Sequence, residues 1–175
     1  DNAPLNTVVI SPAEAQTITA GETINFSAEA QDEFGNIIED KVSEFSWSNT
    51  TTEGVFNKTA TGTYEVKATY DGMDSAVTTV TVESAAVSNI VVEGHNSIVI
   101  PGKNETDNLI QYSATAYDEF DNEVDEDLSW SLNNISADIT SGAVSINDTG
   151  QVTVTNDLLD PNGGNTDINQ AFEVV

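Results

Sequence analysis

One phrase occurs twice in this chain, and the repetition constrains the fold more than any other feature. Ser27-Ala28-Glu29-Ala30-Gln31-Asp32-Glu33-Phe34-Gly35-Asn36 returns as Ser113-Ala114-Thr115-Ala116-Tyr117-Asp118-Glu119-Phe120-Asp121-Asn122. Each copy follows an alternating run and leads through an acidic stretch to a Trp strand, Phe45-Ser46-Trp47-Ser48-Asn49 or Leu128-Ser129-Trp130-Ser131-Leu132-Asn133. Internal self-similarity at this spacing means that one module has been used in tandem. Each copy is the size of a small β-sandwich, large enough for a core with little to spare.

The alternation fixes the class. Ile24, Phe26, Ala28 and Ala30 fall at every second position, with Asn25, Ser27, Glu29 and Gln31 between them, as on a strand with one buried face. Tyr64, Val66, Ala68 and Tyr70 alternate in the same way before Asp71-Gly72, a strong hairpin signal. Phe34-Gly35-Asn36 reads as a tight β connection, because Gly and Asn tolerate positive φ. No segment carries a helical period. The expectation is an all-β chain of two antiparallel sandwiches, residues 1–84 and 88–175, joined by a short linker at 85–87.

After Trp130 the second copy expands. Strand-like runs stand at Ala143-Val144-Ser145-Ile146 and Gln151-Val152-Thr153-Val154, and an Asp160 to Asp167 loop follows. Ala171-Phe172-Glu173-Val174 then matches Thr63-Tyr64-Glu65-Val66, with no counterpart of the hairpin or of the strand Ala76 to Val82. Such a sandwich exposes an edge. The expectation is a fragment of a longer protein, with a strand donated by another chain as the alternative. Asp1 reads as a mature or trimmed N-terminus.

Charge decides which partners are reasonable. Thirty carboxylates face four lysines (Lys41, Lys58, Lys67, Lys103) and no arginine, for a formal net charge of −26. Nucleic acid is excluded as a partner, since phosphate neutralisation needs a basic surface. Anionic membrane is disfavoured for the same reason, and no apolar run is long enough to span a bilayer. Repulsion of this size weakens a compact state unless salt screens it or bound cations offset it. A saline milieu or stoichiometric divalent cations would each serve. Disorder does not fit a chain that is 38% hydrophobic with clear alternation.

The run from an alternating strand through Ala-x-Asp-Glu-Phe-Gly-Asn to Ser-Trp-Ser resembles the bacterial-type immunoglobulin-like repeats of surface proteins. Those occur in archaeal surface-layer (S-layer) glycoproteins and in invasin- or intimin-like adhesins. The acidity and the absence of arginine resemble the archaeal proteins more. The resemblance implies tandem immunoglobulin-like sandwiches, an extracellular cell-surface location and a lattice built from copies of the chain. It also implies N-linked glycans and dependence on calcium.

Six Asn-x-Ser/Thr sequons begin at Asn25, Asn49, Asn57, Asn104, Asn134 and Asn147. All but Asn25 sit in turns or edges, and Asn25 lies mid-strand on the face opposite Ile24 and Phe26. Hard oxygen ligands crowd the second acidic stretch, where Asp118, Asp121, Asp125 and Asp127 are candidate Ca²⁺ ligands. Asp160 and Asp167 are further candidates, since the Gly163-Gly164 pair between them would let carbonyls turn inward. Neither stretch has EF-hand spacing, and such runs are commonly just solvated.

Enzyme chemistry is not expected. His95 is the only histidine and there is no cysteine, so neither a zinc site nor a Cys–His pair can be built. Trp47 and Trp130 would stack on sugars if exposed, but their repeat-equivalent positions favour core packing. The chain therefore reads as a structural cell-surface protein. A pilus-like filament subunit or adhesin stalk is the alternative, and a carbohydrate-binding accessory module of a secreted enzyme comes third.

Overall fold

A computed structural model describes residues 3–94, 108–133, 143–155 and 173–174. These residues form β-strands and turns with a single 3-10 turn, Val42–Glu44, and no α-helix among them. The chain divides into two compact units. One is Asp1–Asn89 with Tyr117–Val124, and the other is Ile90–Ala116 with Asp125–Val175. The first cut falls between Asn89 and Ile90, so the expected linker at 85–87 lies within the first of these units. The segment Tyr117–Val124 carries second-repeat sequence and is nonetheless part of the first unit.

The first unit runs β1 (Leu5–Ser11), β2 (Gln16–Thr19), β3 (Thr23–Asn25), β4 (Ser27–Asp32) and β5 (Ile37–Glu39). It continues with β6 (Ser46–Trp47), β7 (Val55–Asn57), β8 (Gly62–Val66), β9 (Ala68–Tyr70), β10 (Met73–Asp74) and β11 (Thr78–Glu83). Three of its sheets have the orders β1-β4-β5, β10-β9-β6 and β2-β11-β8, and β3 pairs with β7. Asp71 and Gly72 take φ of 46° and 78° between β9 and β10, as the sequence signal requires of a tight hairpin.

Two expected long strands are each broken, and the breaks let one strand serve two sheets. The run through Ile24 and Ala30 stops at Phe26, whose N–H donates to the Gly54 carbonyl at 2.9 Å. Before it, β3 pairs with β7; after it, β4 pairs with β1. Gly54 is needed there, since it has φ of 72° and a Cβ would lie 2.4 Å from the Phe26 carbonyl oxygen. The run from Gly62 to Tyr70 breaks at Lys67, whose N–H donates to Ser48 Oγ at 2.9 Å while its carbonyl accepts from Ser48 N–H at 3.1 Å. Alternation alone does not reveal such a change of partner, because the period of two continues through it. One pairing also departs from the antiparallel expectation: β2 runs parallel to β11, with Gln16 opposite Val80 and Ile18 opposite Val82.

Two clusters form the core of this unit. Ile10, Phe26, Phe56, Val66, Val80 and Val82 make one, and Val8, Ala28, Ala30, Phe45 and Ala68 make the other. Trp47 packs against both, and its Nε1–H donates to the Val42 carbonyl at 3.1 Å. Each fully buried Val or Phe stabilises the unit by about 1.5–3 kcal/mol, and the paired indole nitrogen removes the desolvation cost of burying Trp.

The second repeat continues with β12 (Asn89–Glu93), β13 (Asn108–Gln111), β14 (Ser113–Tyr117) and β15 (Glu123–Val124). Then come β16 (Leu132–Asn133), β17 (Val144–Ile146), β18 (Gln151–Val154) and β19 (Glu173–Val174). The break at Phe26 recurs. Tyr112 interrupts β13 and β14, its N–H donates to the Gly150 carbonyl at 3.0 Å, and a Cβ on Gly150 would sit 2.8 Å from the Tyr112 carbonyl oxygen. The turn ahead of Gly150 matches as well: Gly54 bonds back to Thr51 as Gly150 does to Asn147. The repeat therefore resumes at Asn147–Val154 after its expansion. That expansion supplies β17, which lies on β18 in the sheet order β13-β18-β17. Ile110, Ala143, Val144, Val152 and Val154 form the core here, with Tyr112, Leu132 and Ile146 against it.

Candidate functional site

The duplicated phrase folds into the same turn twice. Asp32 Oδ1 accepts from the N–H of Phe34 and of Asn36, each at 2.9 Å, and Asn36 Nδ2 bridges to Asp32 Oδ2 at 2.8 Å. Asp118 Oδ1 accepts from Phe120 N–H at 2.8 Å and Asn122 N–H at 2.9 Å, and Asn122 Nδ2 reaches Asp118 Oδ2 at 2.8 Å. The remaining capacity of each carboxylate holds the segment that enters the repeat. Ala3 N–H donates to Asp32 Oδ2 at 3.2 Å, and Ala85 N–H to Asp118 Oδ2 at 2.9 Å. Short Asp side chains favour such self-closing turns because they reach their own downstream N–H groups.

These bonds set the acidity of the two groups. Burial pushes Asp118 up, but the Asn122 amide and the N–H groups of Ala85, Asn122 and Phe120 outweigh it and hold the carboxyl at about 2. The Asn36 amide leads in keeping Asp32 below its usual value, helped against burial by the N–H groups of Asn36, Phe34 and Ala3. Both carboxylates are buried and stay charged by hydrogen bonding alone.

In the first unit the Asp118 turn is packed, not merely closed. Phe120 lies on Gly21, where an added Cβ would be 2.8 Å from Phe120 Cζ, and it joins the cluster around Phe26 and Phe56. Asn122 Oδ1 accepts from Thr61 N–H at 3.0 Å, and Asn122 Nδ2 donates to the Thr59 carbonyl at 2.7 Å. The repeated phrase makes this turn visible in the sequence. Its seat at Gly21, Thr59 and Thr61 has no such signal, because those residues look like ordinary turn positions.

The candidate calcium ligands are not drawn together. Asp118 directs its oxygens at N–H donors, while Asp121, with φ of 64°, and Asp125 and Asp127 are exposed. Among the described residues no three His, Cys, Asp or Glu are grouped to hold a metal ion. Asp160, Asp167 and His95 lie outside the described residues. Cationic compensation is sparse: among the described residues Lys67–Asp74 is the one ion pair, and it lowers the Asp74 carboxyl together with Thr69.

The four described sequons differ in one respect that bears on glycan attachment, the state of Nδ2. Asn57 Nδ2 donates to the Gly21 carbonyl at 2.8 Å, with the Glu22 carbonyl and Thr23 Oγ1 each at 3.1 Å. Asn49 Nδ2 donates to the Glu65 carbonyl at 2.8 Å. Asn147, which is exposed, instead accepts through Oδ1, from Thr149 N–H, Thr149 Oγ1–H and Gln151 N–H, and among the described residues its Nδ2 makes no hydrogen bond. Asn25 is exposed on β3, opposite Val55. Asn104 and Asn134 lie outside the described residues.

No family model matches this chain, and no curated protein matches it. Among solved structures, it is similar to Drosophila OTK, extracellular domains 3-5, at 8% identity and a TM-score of 0.27. That match covers 89% of this chain and 58% of the other, so the chain spans less than two thirds of that structure's length. A likeness this slight leaves the functional argument to the residues themselves.

Proposed function

We propose that this chain is a structural part of an extracellular surface protein that assembles with copies of itself into an acidic layer around the cell. The archaeal S-layer glycoproteins that its repeats resemble are the nearest functional type, with two tandem immunoglobulin-like β-sandwiches as the building unit. The observation that carries the reading is the charge: thirty carboxylates against four lysines on an all-β scaffold. A folded chain with that balance gains stability from a saline or cation-rich medium, and a layer made of it concentrates cations at its surface. The work is mechanical and electrostatic, with no catalytic step. Calcium, implied by the resemblance, acts in this reading at contacts between copies, where carboxylates of two chains meet. Partners are further copies, with neither nucleic acid nor an inserted membrane segment involved. Glycans are carried at Asn25 and Asn147, whose amide nitrogens are not committed to the fold.

Electron microscopy of the native assembly, with calcium present and then chelated, tests this. Two-dimensional sheets that dissolve on chelation support the layer, and dispersed chains under every salt condition overturn it. Glycopeptide mass spectra should place sugar on Asn25 and Asn147 ahead of Asn49 and Asn57; bare peptide at all four removes the glycan proposal.

One observation favours a second reading, a filament assembled by strand donation. Ile90, Val91 and Val92 on β12 are each at least 40% exposed, a run of β-branched residues placed to accept a strand. One-dimensional fibres in the same images would select it.

A further inference from the structure

We propose that the Asp32–Asn36 turn is a docking plug, and that it seats on the glycine corner of another module of this kind joined ahead of β1. This rests on the tandem-module reading above and extends it to how successive modules are fastened.

The basis is a side-by-side precedent within one molecule. The Asp118 turn has its ring on Gly21 and its amide between Thr59 and Thr61. The Asp32 turn has the same internal bonds and the same Phe and Asn in the same places, yet none of the external contacts. Phe34 is 76% exposed, nothing lies within 4 Å of a Cβ built on Gly35, and Asn36 bonds only within the turn. An isolated exposed Phe needs no explanation in general. Here the turn that carries it is closed by four N–H donors on the Asp32 carboxylate, in the form that, 86 positions later, is buried against a corner.

Three features identify the occupant. The seat requires a glycine with positive φ, since Gly21 stands at 84° and a side chain there would enter the ring. It also requires a backbone N–H and carbonyl two residues apart, as Thr61 and Thr59 provide. Finally, Ala3 donates to Asp32 as Ala85 donates to Asp118. The segment entering β1 is thus held as the linker entering β12 is held, which places the occupant upstream on the same polypeptide. The plug meets its seat through a ring and an amide, so the contact between strongly acidic modules is made by neutral groups.

The test lengthens the chain. Residues 1–84 are fused directly to Ala3 of a second copy of the chain, so that Ala3 follows Ser84 of the added copy as Ala85 follows it in the original chain. Phe34→Ala is then compared in the fused and the original chains, and fluorine-labelled Phe34 is followed by NMR. The proposal expects Phe34→Ala to lower the melting temperature of the fused chain by about 8 °C or more, to shift the original chain by no more than about 2–4 °C, and to find the label buried only in the fused chain. Gly21→Leu in the added copy alone should return the label to its exposed position. A label that stays exposed in the fused chain overturns the proposal, as does an equal effect of Phe34→Ala in both chains. Because the measurement is made on dispersed chains, failure of the layer reading would not move it.

Discussion

Phe34 and Phe120 sit at the same place in the same turn, one open to water and the other laid on Gly21 against the core of the first unit. The hydrogen bonds that shape the two turns are the same, so local sequence specifies the turn and leaves its surroundings open. What differs is supplied from elsewhere in the chain: a glycine, a carbonyl and an N–H at Gly21, Thr59 and Thr61. The strands that open the two repeats teach the same lesson. In β1, Val8 is 4% exposed and packs with Ala28 and Ala30, whereas Val91 in β12 is 40% exposed. A module is defined by its turn and its Trp strand, and what covers it is decided by its neighbours.

The largest effect expected from breaking this comparison lies where the two repeats share a device. Gly54→Ala drives a Cβ into the Phe26 carbonyl at a left-handed φ, and Gly150→Ala does so at Tyr112 beside the Trp130 ring. Each should cost about 3 kcal/mol or more, from backbone strain and overlap together. Gly35→Ala has open space around it and should cost only about 1 kcal/mol. Denaturant midpoints of the three variants would check the ranking, and equal losses would show that the two glycine crossings are not the device described.

A smaller effect should appear in acid. The folded-state value of Asp118, about 2, lies below its ordinary 3.8, so its contribution is full above that ordinary value. It is lost as pH falls from there through about 2. Asp118→Asn should therefore be less stable than the parent at neutral pH, with the gap closing over that window. Asp32→Asn should behave in the same direction, since that carboxyl is also lowered. Melting curves between pH 6 and pH 2 decide; a gap that does not change with pH would mean that the charge on Asp118 is not what the turn uses.

The smallest effect sharpens the comparison at one residue. Gly35 and Asp121 occupy the same turn position, with φ of 81° and 64°. Asp121→Gly removes the left-handed penalty of a side chain and should stabilise by up to about 1 kcal/mol. A loss instead, measured as a fall in melting temperature, would assign the Asp121 side chain a role that its exposed position does not suggest.

Much of this fold is legible in the sequence, and the limits are physical. Periodicity revealed β1, β11, the β9–β10 hairpin, β17 and β18, because each keeps one face on a core. It concealed the breaks at Phe26 and Lys67, where the period of two persists while the pairing partner changes. It also concealed the parallel pairing of β2 with β11, since side-chain alternation is the same in either direction. For the site, the phrase around Asp118 was legible as carboxylates and read as cation ligands. Whether a carboxylate meets a cation or its own backbone N–H groups is settled by turn geometry, and composition does not carry it. Phe120 and Asn122 carry the packing of that turn through contacts about 60 to 100 positions away along the chain, beyond the reach of any local pattern.

The most direct test of the account is thermal unfolding of Phe120→Ala and Phe34→Ala in the original chain, measured side by side. Phe120→Ala should remove about 2 kcal/mol of apolar burial from the first unit and lower its melting temperature by roughly 8–16 °C. Phe34→Ala should change it by less than about 0.5 kcal/mol. Equal shifts, or a larger one for Phe34, would contradict the claim that one turn is seated on the first unit and its twin is free.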